Sequence, residues 1–308
     1  MRTLLSFFCL AVALPAQTRP SWAFLTPDKE QPKVQEAEGP VHIPDSTKTY
    51  TAKQIEDLTH PPDWFPDEHG PVPQVVGGGP GTTALACGSC HLMRGQGHPE
   101  SADLAGMPVE YIVRQMADFK DGKRIDPARM NAIAKALSEE DARKAAEWFA
   151  ALKPVVWVKV VESSTVPKSY VSTKGRMRLP LPGGGSEPLG NRIIELPQDA
   201  ARAQSRDPHS GFVSYVPKGS IEKGKKLAAN GASGRSIQCA ICHGDDLKGI
   251  GDVPRIAGLH PIYITRQLYY FKGNEYSGSS AALMKKVAAH LTDDDILALS
   301  AYAASLQP

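Results

Sequence analysis

Cys239-Ala240-Ile241-Cys242-His243 decides how this chain is read, and Cys87-Gly88-Ser89-Cys90-His91 repeats its pattern 239 − 87 = 152 residues earlier. Two thiols three residues apart can add across the two vinyl groups of one porphyrin, and the histidine that follows at once then lies under the iron. The pattern predicts two covalently attached haem c groups, one on Cys87 and Cys90 and one on Cys239 and Cys242. His91 and His243 are the expected proximal iron ligands. Half of a zinc knuckle or a redox-active dithiol would also use such a cysteine pair. A zinc site built from all four cysteines would leave the adjacent histidines unexplained, and a thioredoxin-like dithiol belongs at a helix start inside a βαβ pattern.

Aligning the two motifs exposes an internal repeat. At an offset of 152, Ala105-Gly106 matches Ala257-Gly258, Tyr111 matches Tyr263, Arg114-Gln115 matches Arg266-Gln267, and Phe119-Lys120 matches Phe271-Lys272. After two inserted residues the offset becomes 154 and pairs Met130 with Met284, Leu137 with Leu291, Asp141 with Asp295, and Leu152 with Leu306. Pro108 and Pro261 suit a first helical turn, and Val109, Ile112, Val113 and Met116 recur at helical spacing. Ser138-Glu139-Glu140-Asp141 and Thr292-Asp293-Asp294-Asp295 each read as the capped start of a further helix, with acids at the positive end of its dipole. A helix over Ile221 to Ala229 precedes the second motif, and the proline-crowded stretch before the first shows no counterpart. Between the units, Val155 to Val161 and Asn191 to Leu196 read as strands, and Pro180 to Pro188 as a turn-rich loop.

A net charge of +2 over 308 residues suggests neither a nucleic-acid surface nor a polyanionic substrate. Behind Arg2, the apolar run Leu4 to Leu14 reads as a secretory signal, too short to span a bilayer. Cleavage after Ala23, with Ala16 as second choice, would remove Cys9 and leave the mature protein without a free thiol. Residues 24 to 70 hold many prolines and charges without periodicity and read as an extended, partly disordered arm, with one helical hint at Thr51 to Leu58. Gly77-Gly78-Gly79 lacks the lysine and hydroxyl residue of a phosphate cradle and reads as loop.

With CxxCH, then Leu/Ile-Ala-Gly, Tyr-x-x-x-Gln, Phe-Lys, a methionine seven residues before Leu-Ser/Thr, and a capped last helix, each half resembles a class I cytochrome c domain. The tandem resembles the dihaem cytochromes called cytochromes c-four, over about residues 84 to 152 and 219 to 306. The resemblance implies a mainly α fold of two class I cytochrome c domains, to which this chain's own residues add, as a departure from the family, an irregular joining insert with a few short strands. Its expected boundaries are a signal peptide at 1–23, the arm at 24–70, domain 1 at 71–154, the insert at 155–218 and domain 2 at 219–308. It further implies a periplasmic electron carrier that meets redox protein partners, a membrane-bound dehydrogenase or terminal oxidase among them, and takes no small-molecule substrate at iron. The family's proline carbonyl that accepts the proximal histidine's Nδ1–H falls on Pro254, whereas the aligned residue of the first unit is Ala102. That departure puts the orientation of His91 in question.

The sixth iron ligands follow from the repeat. Of Met93, Met107, Met116 and Met130, only Met130 has a methionine partner, Met284, and both are expected on loops long enough to place a thioether over iron. Met107 aligns with Leu259, Met93 lies too close to His91, and Met116 belongs to an apolar helical stripe. Arg114 and Arg266 are candidates for bidentate bonds to haem propionates, the other reading being a solvated helix face. Tyr111, Tyr263, Gln115 and Gln267 read as parts of the haem wall. His42, His60, His69, His98, His209, His260 and His290 read as surface or loop residues, with His98 and His260 nearest a haem edge. Two other function classes remain open: a dihaem redox enzyme, peroxidase or thiosulfate dehydrogenase-like, and a haem subunit of a membrane dehydrogenase or oxidase complex that docks through residues 155 to 218.

Overall fold

The computed structural model describes residues 19–33, 39–78, 85–126, 128–273 and 275–308. The run Leu4 to Leu14, Cys9 and Ala16 lie outside the described residues, as does Gly79. Ahead of the first unit, helix α1 (Ala52–Ile55) starts at Thr51, whose side chain and that of Gln54 satisfy each other's backbone N–H groups. Around it Ile43, Ile55, Trp64 and Phe65 are buried together, with Tyr50 edge-on to Trp64 at 4.7 Å. The stretch expected to be extended thus builds a small core of its own, because its aromatic rings bury much area without helical or strand spacing. Upstream, Ala23 is wholly buried, and Phe24 meets Tyr269 and Tyr270 of the second unit edge-on at 5.9 and 5.6 Å.

The first unit contains α2 (Gln74–Gly77), α3 (Gly88–His91), α4 (Val109–Lys120), α5 (Met130–Ala136) and α6 (Glu139–Ala151). Ser138 caps α6 by accepting the Asp141 N–H at 3.0 Å, as its sequence predicts. The single turn α2 supplies the helix that no sequence pattern announced. Its Val75 and Val76 are buried with Ala145, Ala146 and Phe149 of α6, and the Val75 carbonyl accepts the Cys87 N–H.

The insert contributes β1 (Val158–Glu162), β2 (Thr165–Pro167), β3 (Ser169–Val171), β4 (Arg178–Pro180), β5 (Ser186–Pro188), β6 (Ile194–Pro197), α7 (Ala200–Gln204) and β7 (Phe212–Val216). Strands order as β1-β7-β6, with β1 parallel and β6 antiparallel to β7. Both strands expected from the sequence are present, as β1 and β6. Ile193 and Val216 share a buried cluster with Ile262, Leu297 and Ala301 of the second unit. Burying each such side chain contributes about 1.5–3 kcal/mol, so the insert shares a core with the second unit.

The second unit comprises α8 (Ser220–Gly234), α9 (Ala240–His243), α10 (Pro261–Lys272), α11 (Ala281–Ala289) and α12 (Asp293–Ser305). Thr292 and Asp295 form the capping box that starts α12. Helices α8 and α12 touch through Gly224, where any Cβ would meet the Ala298 carbonyl oxygen at 2.0 Å. The repeat persists in the backbone hydrogen bonds. Gly97 N–H donates to His91 O as Gly249 N–H does to His243 O, and Gly106 N–H donates to Phe149 O as Gly258 N–H does to Ala303 O.

Across the boundary, Ile125 N–H donates to Glu275 O at 2.8 Å and Ser277 N–H to Lys123 O at 2.6 Å. Because 123 + 152 = 275 and 125 + 152 = 277, these are one contact made twice, as an interface around a local two-fold axis requires.

Candidate haem-binding sites

Each attachment turn is a single helical turn that ends on its histidine. Cys87 and Cys239 precede α3 and α9, and His91 and His243 close them. The His91 Nδ1 lies 2.7 Å from the Ala102 carbonyl and the His243 Nδ1 lies 2.9 Å from the Pro254 carbonyl. A carbonyl only accepts, so Nδ1 carries the proton in each ring and Nε2 keeps its lone pair for a metal. Any residue can present a backbone carbonyl, so Ala102 performs the task of Pro254 and the orientation of His91 is secured. Gly97 and Gly249 make room for these loops: both have positive φ, and a Cβ on either would meet a carbonyl oxygen at 2.5 Å.

Burial lowers the pKa of both imidazoles, only partly offset by the carbonyl each one holds. Burial also pushes the Cys87 thiol up to about 12 and raises that of Cys239. Neutral imidazoles suit the nitrogen donors that haem iron takes. The thiols here stand for the sulfurs of a covalent haem c's thioethers. Among the described residues no group of three or more His, Cys, Asp or Glu converges to hold a metal ion.

Met130 and Met284 are half-buried, and they sit on helices, Met130 opening α5 and Met284 inside α11. The loops expected under them end sooner because Met130-Asn131-Ala132-Ile133-Ala134-Lys135-Ala136 and its counterpart are built of residues that mostly favour helix. Met107 is 3% exposed in the main core, and Met93 lies under α3, its sulfur 2.8 Å from where a Gly88 Cβ would stand.

The two arginines read as propionate partners are both turned to the loop of the opposite unit. Arg266 donates to Glu100 Oε1 at 2.6 Å and to the carbonyls of Pro99 and Ala23, while Arg114 Nη2 lies 3.3 Å from the Asp252 carbonyl. Since 100 + 152 = 252, these are again one contact made twice. Arg124 belongs to no motif in the sequence. Its buried guanidinium donates to Gln115 and Gln267, 2.6 and 3.0 Å away, and lies 4.4 and 4.8 Å from the rings of Phe119 and Tyr276. It has no carboxylate partner among the described residues. A buried cation without an anion is costly, and haem propionates are anions of the kind that would complete it. His260, expected on the surface or in a loop, stands in a loop just before α10 and is buried there, paired with Glu195 of the insert. Only knowledge of the axis and of the insert's course would have found these residues.

A family model described as cytochrome c matches residues 221–307. Cytochrome c-554(547) of Halothiobacillus neapolitanus is 34% identical over 91 residues, covering 26% of this chain and all of that protein. Cytochrome c4 of Stutzerimonas stutzeri is 27% identical over 232 residues, covering 73% of this chain and 85% of its own. A protein of Thiomonas intermedia named thiosulfate dehydrogenase electron acceptor is 27% identical over 225 residues, covering 72% and 79%.

Proposed function

Because the chain belongs to the cytochrome c family, as a dihaem class I member with two covalently bound haem c groups, we propose that it acts as an electron carrier in which both irons stay six-coordinate. The observation that carries the reading is the matched pair of buried imidazoles, each fixed through Nδ1 to a loop carbonyl, inside units joined by a reciprocal interface. The bound iron supplies a one-electron ferrous/ferric couple. Cys87, Cys90, Cys239 and Cys242 tether the two groups, and Met130 and Met284 are the proposed distal donors. With His91, Met130, His243 and Met284 as the donors, the chain's own residues would leave no place at iron for a small substrate.

Export to the periplasm is part of the proposal, supported by Arg2 and the apolar run behind it. None of the described helices is long and apolar enough to cross a membrane. For the electron donor we propose a thiosulfate dehydrogenase, on the strength of the match to a protein named as the electron acceptor of such an enzyme. The purified protein should carry two haems per chain by pyridine haemochrome assay, show only low-spin ferric signals, and turn over neither thiosulfate nor hydrogen peroxide alone. A high-spin resting signal together with turnover of either compound would replace the carrier by an enzyme.

A further inference from the structure

The two attachment turns share one geometry, with all four cysteines half-buried, and differ in what covers the residues between and beside them. Ser89, between the first pair of cysteines, is 1% exposed, and its repeat partner Ile241 is 65% exposed. Ile250, which lies against Gly244 beside the second turn, is 57% exposed, whereas its partner His98 lines a pocket with Trp157 and Arg206.

The difference is made by residues that only the first unit has around it. Arg206 of the insert donates through Nε to the Ile55 carbonyl at 2.8 Å and through Nη1 to the Ser89 carbonyl. Ala86 N–H donates to the Leu58 carbonyl at 3.0 Å, so residues 55 to 58 lie against the turn beside Arg206. The cover is itself anchored. Trp64 Nε1 donates to Ser205 O at 2.8 Å, Gln96 Nε2 to Pro208 O at 3.0 Å, and Trp157 Nε1 to Gly97 O at 3.2 Å. Glu68 binds both Arg94 and His209, the latter stacked on Phe65 at 4.0 Å. Arg206 has φ +60°, a left-handed conformation that costs an arginine about 1 kcal/mol and persists because these bonds hold it.

We propose that residues 55 to 58 and Arg206 form a closed cover over the first attachment turn, so that electrons enter and leave this protein through the second unit alone. Outer-sphere exchange falls steeply with separation, and a layer of backbone and guanidinium over one turn leaves the bare turn at Ile241 as the near approach. The proposal rests on the dihaem carrier reading. Turnover of thiosulfate or peroxide by the isolated protein would defeat that reading without touching the kinetic split below.

The test is stopped-flow reduction of the oxidised holoprotein by iron(II)–EDTA, an anionic reagent, at concentrations where entry limits the rate. Ile241→Glu places a like charge at the open turn and should slow the whole absorbance change about threefold or more, for both haems together. Half of the amplitude keeping the wild-type rate would overturn the single entrance, and so would no slowing at all. Adding Arg206→Ala to Ile241→Glu should return the whole absorbance change towards the wild-type rate, because the interhaem exchange that lets one entrance serve both haems works from either side. In the reduced holoprotein of Arg206→Ala, a neutral gadolinium chelate should then relax the Ser89 amide as it relaxes Ile241 in the wild type. A Ser89 amide still protected in that variant would remove Arg206 from the cover, and an accessible amide without recovery of the rate would overturn the proposal.

Discussion

Asp103 and Arg255 hold the same position in the two repeats, since 103 + 152 = 255, and they are ion-paired with each other at 3.1 Å with side chains 3% and 4% exposed. Arg255 also donates to the carbonyls of Ala257 and Ala105, 2.7 and 3.2 Å away, which again differ by 152. One guanidinium therefore ties both units at their shared axis. Replacing Arg255 by Ala strands a buried carboxylate and should cost about 3–5 kcal/mol in denaturant unfolding. Leucine at both positions should recover most of that loss. A cost within about 0.5 kcal/mol for Arg255→Ala would mean the pair does not hold the units together.

The same carboxyls set a pH dependence. Burial pushes Asp103 and Glu100 above the usual carboxylate range, against the pull of Arg255 and Arg266. A carboxyl with a raised folded pKa binds more protons folded than unfolded, so its contribution to stability falls as pH rises from about 4 through the raised value. The difference in urea midpoint between wild type and Asp103→Asn should therefore shift against the wild type over that window. A shift in its favour would contradict the assignment.

Met130 and Met284 remain the distal ligands we propose. Met130→Ala and Met284→Ala should each remove half of the sulfur-to-iron charge-transfer band of the ferric protein and lower one of two potentials, within the roughly 0.8 V span that axial ligands command. Met107→Ala should leave band and potentials in place and act on stability alone, at about 2–5 kcal/mol for a buried methionine. Loss of the band in Met107→Ala, with Met130→Ala silent, would reverse the roles.

Processing should spare the stretch from Arg19 to Phe24. Arg19 pairs with Glu275, Ala23 is wholly buried and its carbonyl accepts from Arg266, and Phe24 sits among aromatic rings. Cleavage after Ala16, the second choice from sequence, keeps these contacts, and cleavage after Ala23 discards Arg19 and Trp22. N-terminal sequencing of exported protein should begin at Gln17. A chain cut to start at Phe24 should melt lower, and an unchanged melting temperature would show that the segment contributes nothing.

The haem-attachment turns, the repeat, the caps at Ser138 and Thr292 and strands β1 and β6 were all legible in the sequence, because each depends on residues a few positions apart. Thioether spacing, capping and side-chain alternation are local chemistry, and the offset of 152 needs only comparison of the chain with itself. The course of residues 41 to 65 was not legible. Its core is made by Ile43, Tyr50, Ile55, Trp64 and Phe65 at irregular spacing, between prolines that mimic an extended arm.

Only the tertiary structure decided what lies on the axis and what covers each turn. Arg124, Asp103 and Arg255 acquire meaning because an isologous interface brings repeat partners face to face, and the repeat alone does not say which residues the axis passes. Arg206 reaches Ser89 across 117 positions, and Glu195 reaches His260 across 65. Contacts of that separation leave no periodic trace in the chain, since they are fixed by how the insert packs and not by the residues beside them. The sequence by itself determined two attachment sites of one pattern; folding buried Ser89 in one of them and left Ile241 exposed in the other.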